Sequence, residues 1–436
     1  MKIAIVGTGV SAMVCARILS SRHEITVYEA ADYVGGHTHT HSIPLGGRTW
    51  PVDTGFIVFN DWTYPNFIRL LEILGVPSRA SDMSFSVRSR ASGLEYNGTS
   101  LNTLFAQRSN LFRPSFHRMI RDILRFNREA PRLLESEDDS QTLGEYLTEH
   151  RYSSQFLDHY VLPMGGAIWS ASSDAMRSFP ARYFVQFFHN HGMLSVDERP
   201  QWRTVIGGSQ SYMKALIAPF RDRIRLSTPV ASIRRFDDRV EVASRAGVTE
   251  SFDHVVVGAH SDQALAMLSD ASPVEREVLG AIPYQENLAV LHTDERVMPR
   301  RKLAWAAWNY HLGADRDGRV AVSYWMNRLQ GLDAPANFCV TLNDTSEIDP
   351  AKVLRRLRYH HPVYTRAGVA AQKRWADVNG KRRTWFCGAW WSFGFHEDGV
   401  KSALRVAHEF GLSLEDVAAT PTSARTGSTA LEAAAS

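Results

Sequence analysis

Cysteine is scarce. Cys15, Cys339 and Cys387 lie far apart and form no Cys-x-x-Cys pair. That excludes a disulfide framework and a zinc knuckle, and it fits a reducing compartment. Charge of one sign is also missing. A net of +3 over 436 residues gives no argument for a nucleic-acid partner. No run approaches the ~20 apolar residues of a membrane-spanning helix. The opening Ile3-Ala4-Ile5-Val6 is too short for a signal-peptide core and reads as a buried strand. No internal repeat occurs. These absences point to a cytoplasmic globular chain, long enough for one large domain or two interleaved ones.

What is present begins with a strand–turn–helix–strand pattern. Lys2 to Val6 reads as a strand, Ser11 to Ser20 as a helix, and Glu24 to Tyr28 as a second, β-branched strand. Gly7-Thr8-Gly9-Val10-Ser11-Ala12 between them matches G-x-G-x-x-G/A. Gly7 permits a tight turn, Gly9 lets the backbone approach a pyrophosphate, and Ala12 lets the helix pack on the strand. The helix N-terminus offers free amides to phosphate. Glu29 closes the second strand, where a carboxylate accepts ribose hydroxyls. Alone the glycines are a weak signal. In register with strand, helix and acid they predict dinucleotide binding, with NAD and FAD both open.

Gly35-Gly36 follows Glu29 by one short turn and leads into a polar segment from His37. A second glycine pair brings another loop to the pyrophosphate. Here the chain resembles the flavin amine oxidase superfamily, which also holds phytoene desaturases and protoporphyrinogen oxidases. That superfamily carries Arg-x-Gly-Gly-Arg at this place. Here the residues are Tyr33-Val34-Gly35-Gly36-His37, so both arginines are missing and His37 is left as a donor. Further matches are Thr228-Pro229-Val230, Trp385-Phe386-Cys387-Gly388, and His396-Glu397-Asp398-Gly399-Val400, where Asp398 replaces a usual glycine.

The resemblance implies a non-covalent FAD. Its expected contacts are Gly7, Gly9, Ser11, Ala12, Glu29, Ala30, Gly35, Gly36, His37, Thr38, Gly55, Val230 at the adenine, Gly388, and the helix N-terminus at Asp398, Gly399 and Val400. It implies an α/β fold: a Rossmann-like, three-layer FAD-binding domain with a parallel sheet, interleaved with an α+β substrate domain. The expected boundaries are 1–80, 202–262 and 362–411 for the first, and 81–201 and 263–361 for the second. Residues 412–436, without periodicity, read as a disordered tail.

For chemistry, the resemblance implies hydride transfer to flavin N5, with few side chains needed. Asp53-Thr54-Gly55-Phe56 resembles the loop beside the isoalloxazine, with Phe56 walling the pocket. Phe395 stands where amine oxidases carry a cage tyrosine; a wall or plain core are both open. His396 and Glu397 are the acid–base candidates, with capping or a ribityl contact as the other reading of Glu397. No amine-oxidase lysine is assigned, because Lys302 sits in Arg300-Arg301-Lys302, a solvated run. His37, His39 and His41 alternate, yet the preceding glycines favour cofactor contact over a metal, and no metal is expected. Cys387 reads as an inert buried thiol. The aromatic set Trp305 to Tyr310 with Tyr324-Trp325 divides between tunnel wall and core. Phe116, Met119, Ile120, Ile123 and Leu124 fall at helical spacing among arginines. Two readings stand for that 116–134 helix: a peripheral membrane face, or a helix packed on its own domain.

The expected function is FAD-dependent removal of hydrogen from an apolar, lipid or fatty-acyl substrate. The alternatives are a flavin amine oxidase releasing hydrogen peroxide, a net-nonredox double-bond isomerase, and a non-catalytic FAD-binding protein.

Overall fold

The computed structural model describes residues 1–90, 92–195, 197–313, 321–344 and 346–419. Its first sheet is five parallel strands: β1 (Lys2–Val6), β2 (Glu24–Tyr28), β3 (Ile224–Arg225), β4 (His254–Val257) and β5 (Thr384–Phe386). Their spatial order is β3-β2-β1-β4-β5. Alternation along β1 explains the layering. Ile3 and Ile5 join a core with α1 (Val10–Leu19) and α2 (His396–Glu409), while Ala4 and Val6 join a second core on the other face. There the antiparallel strands Val230–Arg235, Val240–Ser244 and Thr249–Phe252 form the third layer. A sheet covered on both faces needs apolar strands throughout, and Val255, Val256 and Val257 are fully buried.

The second sheet has seven strands, from Val353–Pro362 at one edge to Glu95–Asn97 at the other. All its pairs are antiparallel except Trp308–Leu312 with Phe85–Ser89. The helices Pro114–Glu129, Leu162–Trp169 and Ala181–Asn190 share an aromatic-rich core with it.

Most of the apolar stripe of Pro114–Glu129 is consumed here, with Leu124 left about half exposed. Phe116, Met119 and Phe126 are buried, and Ile120 and Ile123 pack on the same core. The beginning of the expected tail is ordered as well. Leu412, Leu414 and Val417 are buried against α1, and Arg17 donates to the Val417 carbonyl at 2.9 Å. The reading of residues 412–419 as disordered is therefore corrected; residues 420–436 lie outside the described part. Among the described residues no helix is long and apolar enough to cross a membrane.

Candidate active site

A connected cavity of about 1050 Å³ touches the C-terminal ends of β1 and β2 and continues to the helical block. Its nucleotide end is built from backbone. Helix α1 starts with no side-chain cap and no acidic residue in its first turn, so its amides are free for an anion. A Cβ placed on Gly9 meets nothing within 4 Å. Across from it, Gly36 has φ +56°, and its Cβ position is 3.4 Å from the Gly9 Cα. Glu29 is fixed by the Thr8 hydroxyl and the Ala31 amide (2.8 Å) and lies on the cavity wall. Gly7, Ser11, Ala30, Gly35 and Val230 share that wall. Free helix amides, a cradle without side chains and a ribose acceptor fit a dinucleotide. Ala12 lies behind the wall: a Cβ on Gly258 would come within 2.5 Å of the Ala12 Cβ, the close helix–strand contact its small size allows.

Next to the cradle is a group of histidines, of which the sequence pointed only to His37. Its ring stacks on Tyr359 at 4.8 Å, 5.3 Å from His361 and 6.2 Å from His260. All four residues line the cavity. The His37 Nε2 is buried without a partner. Burial first, then mutual repulsion, pushes His37 and His361 down to about 3 and His260 to about 4, so all three are neutral near pH 7. His39 instead stacks on Tyr33, and His41 bonds the Thr54 hydroxyl at 3.1 Å. Among the described residues no group of metal-ligand type is assembled.

The loop from Asp53 to Phe56 lies directly on the His37 backbone. A Cβ on Gly55 would stand 2.1 Å from the His37 carbonyl oxygen, so only glycine fits. Asp53 anchors the loop by accepting from the Ser209 amide (3.0 Å), the Ser209 hydroxyl (2.7 Å) and Gln330 (2.9 Å). Burial still pushes its carboxyl up to about 6. Phe56 lines the cavity and stacks on His396 at 3.5 Å and 10°.

His396 opens α2 and also lines the cavity. Its Nε2 is 2.9 Å from the Tyr212 hydroxyl and 3.1 Å from the Thr38 hydroxyl, and burial holds it well below its usual range. Thr38, expected as a cofactor contact, is fully buried and has its hydroxyl committed within the protein, to Tyr212 and His396.

Glu397, expected as an acid–base candidate or a cap, takes the capping place. Successive helical residues point about 100° apart, so Glu397 turns away from the cavity. It accepts from the Asn66 amide (3.3 Å), the Asn66 side chain (2.6 Å) and the Phe67 amide (2.9 Å). Those groups open the helix Pro65–Ile73, which has no side-chain cap of its own. Glu397→Ala is expected to cost about 2 kcal/mol of stability and leave flavin content unchanged. Thermal melts and visible absorbance check this; lost turnover at unchanged stability would return the carboxylate to the chemistry.

Asp398, Gly399 and Val400, expected as cofactor contacts, have their own places at the start of α2. Asp398 accepts from the Phe395 amide at 3.0 Å as a helix cap, and burial raises it to about 6. Gly399 lets α2 cross α1, since a Cβ there would be 2.7 Å from Val10. Val400 is fully buried. Gly388 remains on the wall. Cys387 is fully buried, with its thiol pushed up to about 12.

A family model described as flavin containing amine oxidoreductase matches residues 11–409. The chain belongs to that family. It is an FAD-dependent oxidoreductase, and the residues of the backbone cradle fit such a cofactor. Among curated proteins none matches it in sequence. Solved structures similar to it include a cyclohexylamine oxidase from Brevibacterium oxydans IH-35A, at TM-score 0.69 and 16% identity, covering 94% of this chain and 99% of that one. A CLA-producing fatty acid isomerase from P. acnes gives 0.66 and 16%, covering 94% and 98%. A putrescine oxidase bound to putrescine gives 0.65 and 16%, covering 94% and 99%. At such identity the likeness shows the fold alone.

In this flavin amine oxidoreductase the remaining residues singled out in the sequence take definite places. Lys302 is exposed beside Trp305 and away from the cavity. Of the aromatic set, Trp308 and Tyr324 line the cavity, whereas Trp305 and Trp325 pack on each other at 5.3 Å. Phe395 lines it too and stacks on Phe187 at 4.9 Å. Tyr364, which no motif marked, adds a further aromatic ring to the wall; its hydroxyl is buried against Gly394 without a hydrogen-bond partner.

Proposed function

We propose that this oxidoreductase removes hydrogen from an apolar, fatty-acyl substrate. The observation that carries the reading is the wall of the cavity beyond Phe395. It is formed by Tyr160, Met164, Ile168, Trp308 and Tyr324, a surface that gains by covering methylenes, about 0.8 kcal/mol for each one buried. It offers no free carboxylate to an ammonium group. Of the two acids on the wall among the described residues, Glu29 is held by Thr8 and the Ala31 amide at the nucleotide end. The other, Asp82, pairs with Arg328 at 2.7 Å.

Bound FAD supplies the two-electron acceptor, which oxygen or another oxidant then restores. The protein's part is to hold an acyl chain against Phe56 and Phe395 and to keep water out. His396, the one of the two acid–base candidates read from the sequence that reaches the cavity, is a neutral imidazole fixed by Tyr212 and Thr38; in this reading it receives the proton.

Amine oxidation is the second reading, favoured by the two rings of Tyr364 and Phe395 on the wall, since aromatic faces attract cations. Mass spectrometry of lipids from cells with and without the gene separates the readings. An acyl species two hydrogens lighter, present only with the gene, is the expected result. Unchanged acyl profiles together with peroxide release from simple amines would replace it by amine oxidation. A product of unchanged mass with a shifted double bond would make the enzyme an isomerase.

A further inference from the structure

Large apolar side chains are seldom left in water without a partner in view. Between Leu101 and Leu124 this protein leaves out four: Leu101 and Phe112, with 77% and 86% of their surface exposed, and Leu111 and Leu124 with about half. The helix Pro114–Glu129 buries the rest of its apolar stripe and leaves Leu124 outside, so these four are surplus to the core.

The same stretch is strongly basic. From residue 101 to 132 there are seven arginines against two carboxylates, Asp122 and Glu129, a surplus of five in a chain whose total is +3. Both carboxylates are engaged, Asp122 by the Ser153 amide and Arg125, Glu129 by Arg128. Among the described residues no carboxylate pairs with Arg113, Arg118 or Arg121. Arg118, Arg121, Leu124 and Arg128 are all exposed at spacings of three and four, which puts them on one face of Pro114–Glu129. His117 ties the Leu111 carbonyl to that helix at 2.9 Å, so the Leu111-Phe112 turn is held at its N-terminal end.

We propose that this face docks the protein on an anionic lipid bilayer. Leu111 and Phe112 enter the head-group region, and Arg113, Arg118 and Arg121 meet lipid phosphates. Cations over protruding leucine and phenylalanine are the pattern that anionic membrane surfaces hold; a polyanion such as nucleic acid would use the arginines and leave the apolar side chains in water. The chain connects the cavity wall to this stretch. Tyr96, Gly98 and Thr99 line the cavity, and the chain passes from them directly into Ser100 and Leu101. Delivery of an acyl chain by that route rests on the substrate reading given above, whereas docking itself does not.

Co-sedimentation of the holoenzyme with vesicles tests the docking. The wild type is expected to bind phosphatidylglycerol-containing vesicles and to ignore pure phosphatidylcholine. About 0.5 M NaCl should release it, because screening is then nearly complete within a few ångströms. Joint Leu111→Ser and Phe112→Ser replacement is expected to lower the partition coefficient at least ~tenfold, and so is joint Arg118→Glu and Arg121→Glu. All four positions are solvent-facing, so flavin content and melting temperature should stay at wild-type values. Failure of the wild type to bind, or equal binding by both double variants, would overturn the proposal. So would a wild-type dimer that the Leu111/Phe112 variant dissociates, since the face would then be a self-association surface. Vesicle binding by a protein with no activity on acyl lipids would leave docking intact and remove only the substrate reading.

Discussion

The Gly9→Glu protein is expected to fold and to leave the column colourless. Gly9 has φ −62° and ψ 169°, ordinary extended backbone that any residue adopts. Its Cβ position faces open space, so the new side chain grows into the cradle and not into the core. There the carboxylate takes the free amides at the start of α1, and its charge repels the phosphates they would otherwise bind. Loss of two or more charge-assisted hydrogen bonds at about 1.5–3 kcal/mol apiece corresponds to affinity at least ~100-fold weaker. Visible absorbance after gel filtration and circular dichroism measure the two halves of this expectation. Gly9→Ala, which puts only a methyl in the same space, should retain part of the flavin. A yellow, stoichiometrically loaded Gly9→Glu protein would show that the cofactor does not lie where the cradle is.

Acid is the second strong lever. Burial holds His37, His311 and His361 near 3, and His191, His260 and His292 near 4. In an unfolded chain each titrates near 6.5. Their folded values are depressed, so the unfolded state binds protons that the native state refuses, and stability falls as pH drops from 6.5 toward 4. Each fully buried imidazole contributes about 1.4 kcal/mol per pH unit in that window. Asp53 and Asp398 act the other way: raised to about 6, they favour the fold at low pH and lose that contribution as pH rises from 4 through 6. Two carboxyls oppose six imidazoles, so the histidines decide the sign. With total stabilities of about 5–15 kcal/mol, unfolding is expected between pH 4 and 6, within the histidine window. Tryptophan fluorescence along a pH titration would follow it; a transition only below pH 3 would contradict neutral, buried histidines.

The parts legible in the sequence were those whose partners are sequence neighbours. Gly7, Gly9, Ala12 and Glu29 act within one strand–helix–strand unit, so spacing alone located them. His260, Tyr359 and His361 reach His37 from positions more than 200 residues away, and no local period marks such a meeting. Tyr364 was silent for the same reason, set in an unremarkable Pro362-Val363-Tyr364-Thr365. Between the two readings of Glu397, capping and acid–base work, the structure favours capping. Two adjacent residues on a helix do not face one target, and that geometry could have separated His396 from Glu397 before any fold was known. Residues 412–419 were judged on composition, which does not register that Leu412, Leu414 and Val417 cover α1.

The order of the parallel sheet also sets a timetable for synthesis. On the ribosome β1 finds β2 almost at once, yet its other neighbour is β4, at His254–Val257, whose own far side waits for β5, at Thr384–Phe386. At roughly 5–20 residues per second, the nascent chain carries β1 with an open edge for about 10 to 50 s. Helix α2, which closes over α1, emerges later still. Cofactor capture is therefore among the last events in making this enzyme, and the half-made chain is the form with most to gain from a chaperone.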